Sequence, residues 1–294
     1  MEKWRIKQSP VVKEEFDNSV EYKQCIYDFI NKMKHKHDLS AFYRNIKTLE
    51  IIPIDKFELP IQSASAGYNI DFNTIVYEED RLNIDIMHEL FHVATTKELD
   101  DRFISGFYQI TDNNKTIGIG LNEGYTALMD ERYFMDYDSN KLENSKNVYS
   151  IEKYICVLLE GLIGEEEMED YYMDANLHDL VLEISEYSDR RSAHYFIQLV
   201  DKYYKERETK KHPNALTICR TYSKILYFIA ECYLTKAKTL YNNRTISRED
   251  YETYVDYVKW LLDQNLHYHK IFRSRKMSKD FDGLNKTVEN KIKK

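Results

Sequence analysis

The stretch NIDIMHELFHVATTKELD, residues 83–100, places two histidines four positions apart inside an apolar run. On a helix, residues i and i+4 lie one above the other on the same face. The imidazoles of His88 and His92 can therefore reach one cation at the about 2.0–2.1 Å that zinc–nitrogen bonds require. Glu89 is one step round the helix, close to such a cation without having to bind it. From there its carboxylate can take a proton from a coordinated water, whose pKa the metal lowers towards about 7. Ile84, Ile86, Met87, Leu90, Phe91 and Val93 supply apolar surroundings that would exclude bulk water. The competing reading is that these are simply two of the chain's nine histidines, stacked by chance on an amphipathic helix. In such a chain HExxH arises by chance in about 2–3% of cases, so the pentad carries weight only beside a third ligand and an open fourth position.

GLNEGYTALMDERYF, residues 120–134, offers that ligand in Glu123. A second helix is predicted to start at Leu121 or Asn122, with Asn122 as its cap and Gly124 permitting close backbone approach. Between the two helices, apolar runs on either side of TDNN predict a hairpin within 103–120 that could fold the second helix back on the first. By itself Glu123 would be an ordinary first-turn glutamate favoured by the helix dipole. Beside HELFH it is a candidate metal ligand.

HELFH followed by LNEGYT resembles the gluzincin branch of the zinc metallopeptidases. In that branch HExxH supplies two ligands, and an Asn-Glu dipeptide on a following helix supplies the third. LNEG is similar to the metallo-aminopeptidase form, and NExxT to the thermolysin-like form. The resemblance covers residues 67–135. It implies that His88, His92 and Glu123 bind zinc, that Glu89 is the general base, and that the substrate is a peptide or protein. It also implies that the alternating segment AGYNIDFNTIVY stands where the family has the strands leading to its active-site helix, one of which pairs with substrate. Two departures keep exopeptidase and endopeptidase activity both open. The spacer before Glu123 is longer than in either group, by the hairpin at 106–120, and SASAGYNID stands where the aminopeptidases carry a GxMEN-like sequence.

Around this core the pattern is mixed at first and then helical. A helix is predicted from Ser19 to about His35, with Tyr22, Ile26, Phe29, Ile30 and Met33 on one face. A strand in TLEIIPIDKFEL is interrupted at Pro53. A hairpin is predicted in AGYNIDFNTIVYEED, turning at Asn73. From Val148 onward, three-to-four spacing of apolar residues predicts helices only, the first ending at Gly164. The fold class expected is α+β and mostly helical: a zincin-like catalytic domain with a small β-sheet over 1–145, then a helical domain over 146–294 that closes the cleft. The boundary falls in the polar stretch DSNKLENSKN. The acidic run Glu165–Glu167 reads as a solvated helix start.

Peptide hydrolysis also needs a donor for the oxyanion of the tetrahedral intermediate. Tyr149 and Tyr154, opening the first helix after the metal core, are the candidates chosen from 25 tyrosines. His178 and His194, further on, are of a suitable chemical type too. By helical phase Asp85, Thr126 and Asp130 could orient the ligands, or could be ordinary surface polar residues. His35 and His37, and likewise His267 and His269, stand two apart, which points them in different directions on a helix.

The bulk properties bound the rest. Net charge is −8 and no long Lys/Arg stripe occurs, which argues against a nucleic-acid partner. The four cysteines, at 25, 156, 219 and 232, form no CxxC pair and suit a reducing compartment. With no run of about 18 apolar residues and charges where a signal peptide would be apolar, a cytoplasmic protein without a membrane span is expected. A second function class stays open: a helical interaction or scaffold protein whose zinc site is structural or vestigial.

Overall fold

The computed structural model describes residues 20–54, 66–78, 82–100, 102–111, 113, 115–134, 149–210, 212–272 and 290–291, by backbone alone at 20–21, 54, 82–85 and 264–272. The chain is mostly helical with small sheets. Contacts divide it into two compact units, residues 1–105 with 126–148, and residues 106–125 with 149–294.

In the first unit, helices α1 (Val20–Met33) and α2 (Ser40–Asn45) precede a three-stranded sheet. Its strands are β1 (Glu50–Ile54), β2 (Ala66–Asn69) and β3 (Thr74–Glu78), in the order β1-β3-β2. β3 is central and mostly buried, parallel to β1 with Ile52 opposite Val76, and antiparallel to β2 with Tyr68 opposite Ile75. Pro53 does not interrupt β1, which runs through it to Ile54. It lies on an edge strand, where the missing N–H need cost no ladder bond. The β2–β3 turn is pinned by Asn73, left-handed at φ 48°, whose amide donates to the Asn45 carbonyl (2.7 Å) and to Thr48 Oγ1 (2.9 Å).

The HELFH helix, α3 (Leu82–Thr95), follows. It is more than a helix with one apolar face, because every residue from Ile86 to Thr95 is buried. Phe91 meets Phe29 edge-on at 5.0 Å and Phe134 at 5.9 Å, and Phe29 in turn packs on Phe42 at 4.8 Å. These aromatic contacts build the core on one side of α3 and fix its rotation. A hairpin the sequence reading did not anticipate comes next, β4 (Thr96–Leu99) with β5 (Arg102–Ser105), turning at left-handed Asp100.

In the second unit a short hairpin, β6 (Gln109–Ile110) with β7 (Thr116–Ile117), flanks TDNN as expected and leads into α4 (Ile119–Phe134). α4 is one unbroken helix whose turns up to Tyr125 group with the second unit and whose later turns group with the first. Among the described residues the second unit continues with six helices, α5 (Ser150–Ile163), α6 (Glu165–Met173), α7 (Leu177–Ser185), α8 (Arg190–Glu208), α9 (Ala215–Asn242) and α10 (Arg248–Phe272). Gly164 ends α5 at φ 138°, a conformation that suits glycine. Phe196 stacks on Phe228 at 4.8 Å, and the Tyr233 hydroxyl donates to the Leu158 carbonyl at 2.8 Å, tying α9 to α5.

The expected division at residue 145 lies in the stretch 135–148, outside the described residues. Segment 106–125, read from the sequence as part of the first domain, groups with the helices instead. The physical reason is its packing: Phe107, Tyr125 and Tyr172 form an aromatic cluster with centroids 5.1–5.5 Å apart, and Tyr125 donates to Glu160 at 2.8 Å. All four cysteines are buried free thiols. No helix among the described residues is long and apolar enough to cross a membrane.

Candidate metal centre

α3 presents three buried polar side chains in an otherwise apolar run: His88, Glu89 and His92, each less than a tenth exposed. Burying two imidazoles and a carboxylate side by side is costly unless they are engaged. The two Nε2 atoms stand 3.2 Å apart, with ring centroids at 4.9 Å and planes 74° apart. Two ligands at about 2.05 Å on a tetrahedral cation would be separated by about 3.3 Å. The pair thus already has the spacing of one edge of such a site.

Glu123 is the third member. His88, His92 and Glu123 each offer one ligand atom, and these atoms all lie within 4.8 Å of one another. Among the described residues this is the one group of three or more such side chains close enough to hold a metal ion. Nitrogen, nitrogen and carboxylate oxygen is a donor set that several divalent ions accept, and by itself it does not select one.

The C-terminal end of α3 is secured by hydroxyl and amide donors. The His92 carbonyl accepts from Thr96 Oγ1 at 2.7 Å and Ser105 Oγ at 3.0 Å. Asn45 Nδ2 donates to the carbonyls of Val93 and Thr96, both at 2.9 Å. These satisfy carbonyls that have no helical partner and hold His92 from behind. The unanticipated hairpin supplies Ser105, so it contributes directly to the ligand helix.

On α4 the sequence reading needs two corrections. The helix begins at Ile119, so Glu123 lies beyond the first turn, and Asn122 is not its cap. Asn122 Oδ1 instead accepts from the Phe107 N–H at 3.0 Å. Gly124 does allow close approach: a Cβ there would stand 2.6–2.7 Å from the backbone and Cβ of Glu152.

Glu152 was not singled out from the sequence. Its carboxylate is fully buried, pairs with Arg207 at 2.8 Å through Oε2, and has no hydrogen bond at Oε1. Burial pushes its pKa up to about 7, against the pull of Arg207 and with a further push from Glu208 and Glu123. Tyr204, also missed, is 1% exposed. Its hydroxyl is raised by burial and by the nearby Glu123 carboxylate, and it shares a hydrogen bond with Tyr149. Glu152 left a trace in the sequence. It stands on the stripe Glu152, Ile155, Cys156, Leu159, and a carboxylate on a buried apolar stripe is unusual.

Of the two tyrosines expected near the metal, Tyr149 lies within reach of Tyr204, with ring centroids 6.1 Å apart. It caps α5 in a left-handed conformation, φ 55°. Tyr154 falls elsewhere: burial raises its hydroxyl, and its charged-state neighbours are Tyr257 and Tyr233 on α10 and α9. The reason is helical phase, since Glu152 occupies the side of α5 that meets α4 and a residue two further on points away. Thr126 is fully buried rather than a surface residue, and Asp130 is half-buried. The Asp85 side chain, like those of Ile84, His267 and His269, lies outside the described residues. His178 is exposed, His194 half-buried, and neither belongs to the metal-competent group. Compared with known proteins, the chain matches no family model, no curated protein and no solved structure.

Proposed function

We propose that the chain is a zinc-dependent peptidase of the gluzincin kind, built on a zincin-like core. The observation that carries this reading is the convergence of His88, His92 and Glu123, with ligand atoms within 4.8 Å, beside a buried glutamate at position 89. HELFH and LNEGYT each contribute residues to that group. Three protein ligands are the number that leaves a position for a reactant, whereas structural sites fill four.

His88, His92 and Glu123 would hold the ion. When bound, a divalent cation supplies Lewis acidity and lowers the pKa of a coordinated water towards about 7. Glu89 takes a proton at its carboxylate from the attacking water and returns it to the leaving nitrogen, so the chain regains its starting state. The apolar side chains of Met87, Leu90 and Phe91 exclude bulk water and strengthen the electrostatics around that transfer. Tyr149 is the candidate donor to the oxyanion, with its hydroxyl oriented by Tyr204.

The test joins metal content to rate. The purified chain should carry near-stoichiometric zinc, and hydrolysis of a denatured protein such as casein, or of a peptide library, should be lost on chelation. Glu89→Gln should keep the metal and lower the rate by about 10²–10⁴-fold. Zinc bound tightly with no turnover of any substrate would instead favour a structural or vestigial site.

A further inference from the structure

The start of α4 has an unusual problem. A helix needs acceptors for its first N–H groups, and the ordinary solution is a Ser, Thr, Asp or Asn side chain at the preceding position. Here that position is Gly118, at φ +83°, where a Cβ would stand 1.9 Å from the Phe107 carbonyl oxygen. No side chain fits, so the cap must come from elsewhere.

It comes from α8. The Asp201 carboxylate, 5% exposed, accepts the Gly118 N–H at 2.9 Å on Oδ2 and the Gly120 N–H at 3.0 Å on Oδ1. The Ile119 N–H contributes as well. The same stretch of α8 sits against the helix with no side chain between them: a Cβ on Gly120 would stand 2.9 Å from the Val200 carbonyl oxygen and 3.1 Å from Tyr204 Cβ. One turn on, Gly124 packs against Glu152 in the same way. The two oxygens of one carboxylate therefore fix both the height and the rotation of the first turn of α4, the turn before the one that carries Glu123.

We infer that Asp201 is a positioning residue for Glu123, setting where its carboxylate meets the metal without touching the metal itself. The inference rests on the proposed metal site and goes beyond it by assigning an affinity-determining role to a residue far from the ligands in sequence. Metal–ligand distances tolerate only about 0.2 Å of error, and loss of groups that orient ligands typically weakens binding about 10–100-fold. A shift of the first turn of α4 is transmitted along a rigid helix to Glu123. Asparagine at 201 would keep one acceptor but turn an NH₂ donor towards a backbone N–H.

The experiment uses the full-length chain, with Zn²⁺ affinity from competition against a chromogenic chelator and site geometry from the visible spectrum of the Co²⁺-loaded protein. Asp201→Asn should bind Zn²⁺ about 10–100-fold more weakly and shift the Co²⁺ bands. Asn214→Ala, which removes the cap of α9 (Asn214 Oδ1 accepting from the Thr217 N–H at 3.0 Å), should keep both at wild-type values. If Asp201→Asn proves unfolded, Gly120→Ala decides, because it presses on the same seam without deleting a hydrogen bond. Unchanged affinity and spectrum in the folded seam variant, or equal changes in the Asn214 control, would overturn the assignment. A wild-type chain that binds neither ion would instead remove the metal site itself, and the role of Asp201 with it.

Discussion

The two helices that supply the ligand set hold their residues in opposite ways. α3 aligns His88 and His92 with each other by local means, their four-residue spacing on a helix buried from Ile86 to Thr95, while Phe29 and Phe134 pack on Phe91 to lock its rotation. α4 fixes Glu123 by partners remote in the chain, with Asp201 at its first amides and Glu152 against Gly124. Two ligands four apart on one helix are aligned as soon as that helix forms. A single ligand near the start of another is only as well placed as the residues that hold that helix end.

Substituting the ligands tests this contrast most severely. His92→Ala and Glu123→Ala should each weaken Zn²⁺ binding by more than the about 10–100-fold typical of orienting residues. His92→Ala should also leave His88 buried without its imidazole neighbour, and so cost more folding stability than Glu123→Ala, since Glu123 is the more exposed of the two. Metal content after dialysis and thermal melts of the chelated proteins would check both halves. Equal melting losses would erase the distinction between the two helices.

The same contrast separates what was legible in the sequence from what was not. HELFH, the β2–β3 hairpin, the Gly164 helix end and the helices after Val148 follow from spacing and turn chemistry, which act over a few residues. The β4–β5 hairpin escaped notice because TKELDDRFIS contains no glycine and its turn uses Asp100 at φ 49°. Asn122 looked like a cap because it has the right side chain near the right place, but Gly118 and Asp201 had already filled that role. Tyr154 looked equivalent to Tyr149 because phase relative to another helix is set by tertiary packing. Glu152 and Asp201 could have been flagged as carboxylates on apolar stripes; their partners could not, since Arg207 and the Gly118 amide stand far along the chain.

Arg207 gives the next-largest effect. It is the cation paired with the fully buried Glu152, and its side chain is 22% exposed. Arg207→Ala should destabilise the chain by about 3–5 kcal/mol, the usual result of stripping a partner from a buried charge, discounted if Glu152 answers by taking up a proton. Denaturant unfolding at neutral pH measures it. A loss below 1 kcal/mol, in the range of about 0–1 kcal/mol seen for exposed pairs, would show that the seam behind Gly124 is not held by charge.

Glu152 also predicts a pH dependence. Its folded pKa, pushed up by burial to about 7, lies above the ordinary 4.5. Between those values the native state holds a proton that the unfolded chain has released, so its contribution is complete below pH 4.5 and fades as pH rises towards 7. At about 1.4 kcal/mol per unit, the span amounts to about 3 kcal/mol. In chelated protein, Glu152→Gln should flatten this part of the stability curve, because a neutral amide has no proton to lose. A variant with the wild-type slope over pH 4.5–7 would assign that slope to other groups.

A local cap gives the smallest effect and sharpens the comparison from the other side. Asn176 caps α7 in the ordinary way, its Oδ1 accepting from the Asp179 N–H three residues on at 3.1 Å. Asn176→Ala should cost about 1 kcal/mol, the usual value for a lost N-cap, and leave Zn²⁺ affinity unchanged. Asp201 performs the same chemical service for α4, accepting first-turn amides, yet its helix carries a ligand and its partners are remote. If caps mattered only through overall stability, metal affinity would follow melting temperature alike in both variants. If position is what Asp201 supplies, Asp201→Asn should lose more metal affinity than its melting temperature accounts for, while Asn176→Ala loses stability alone.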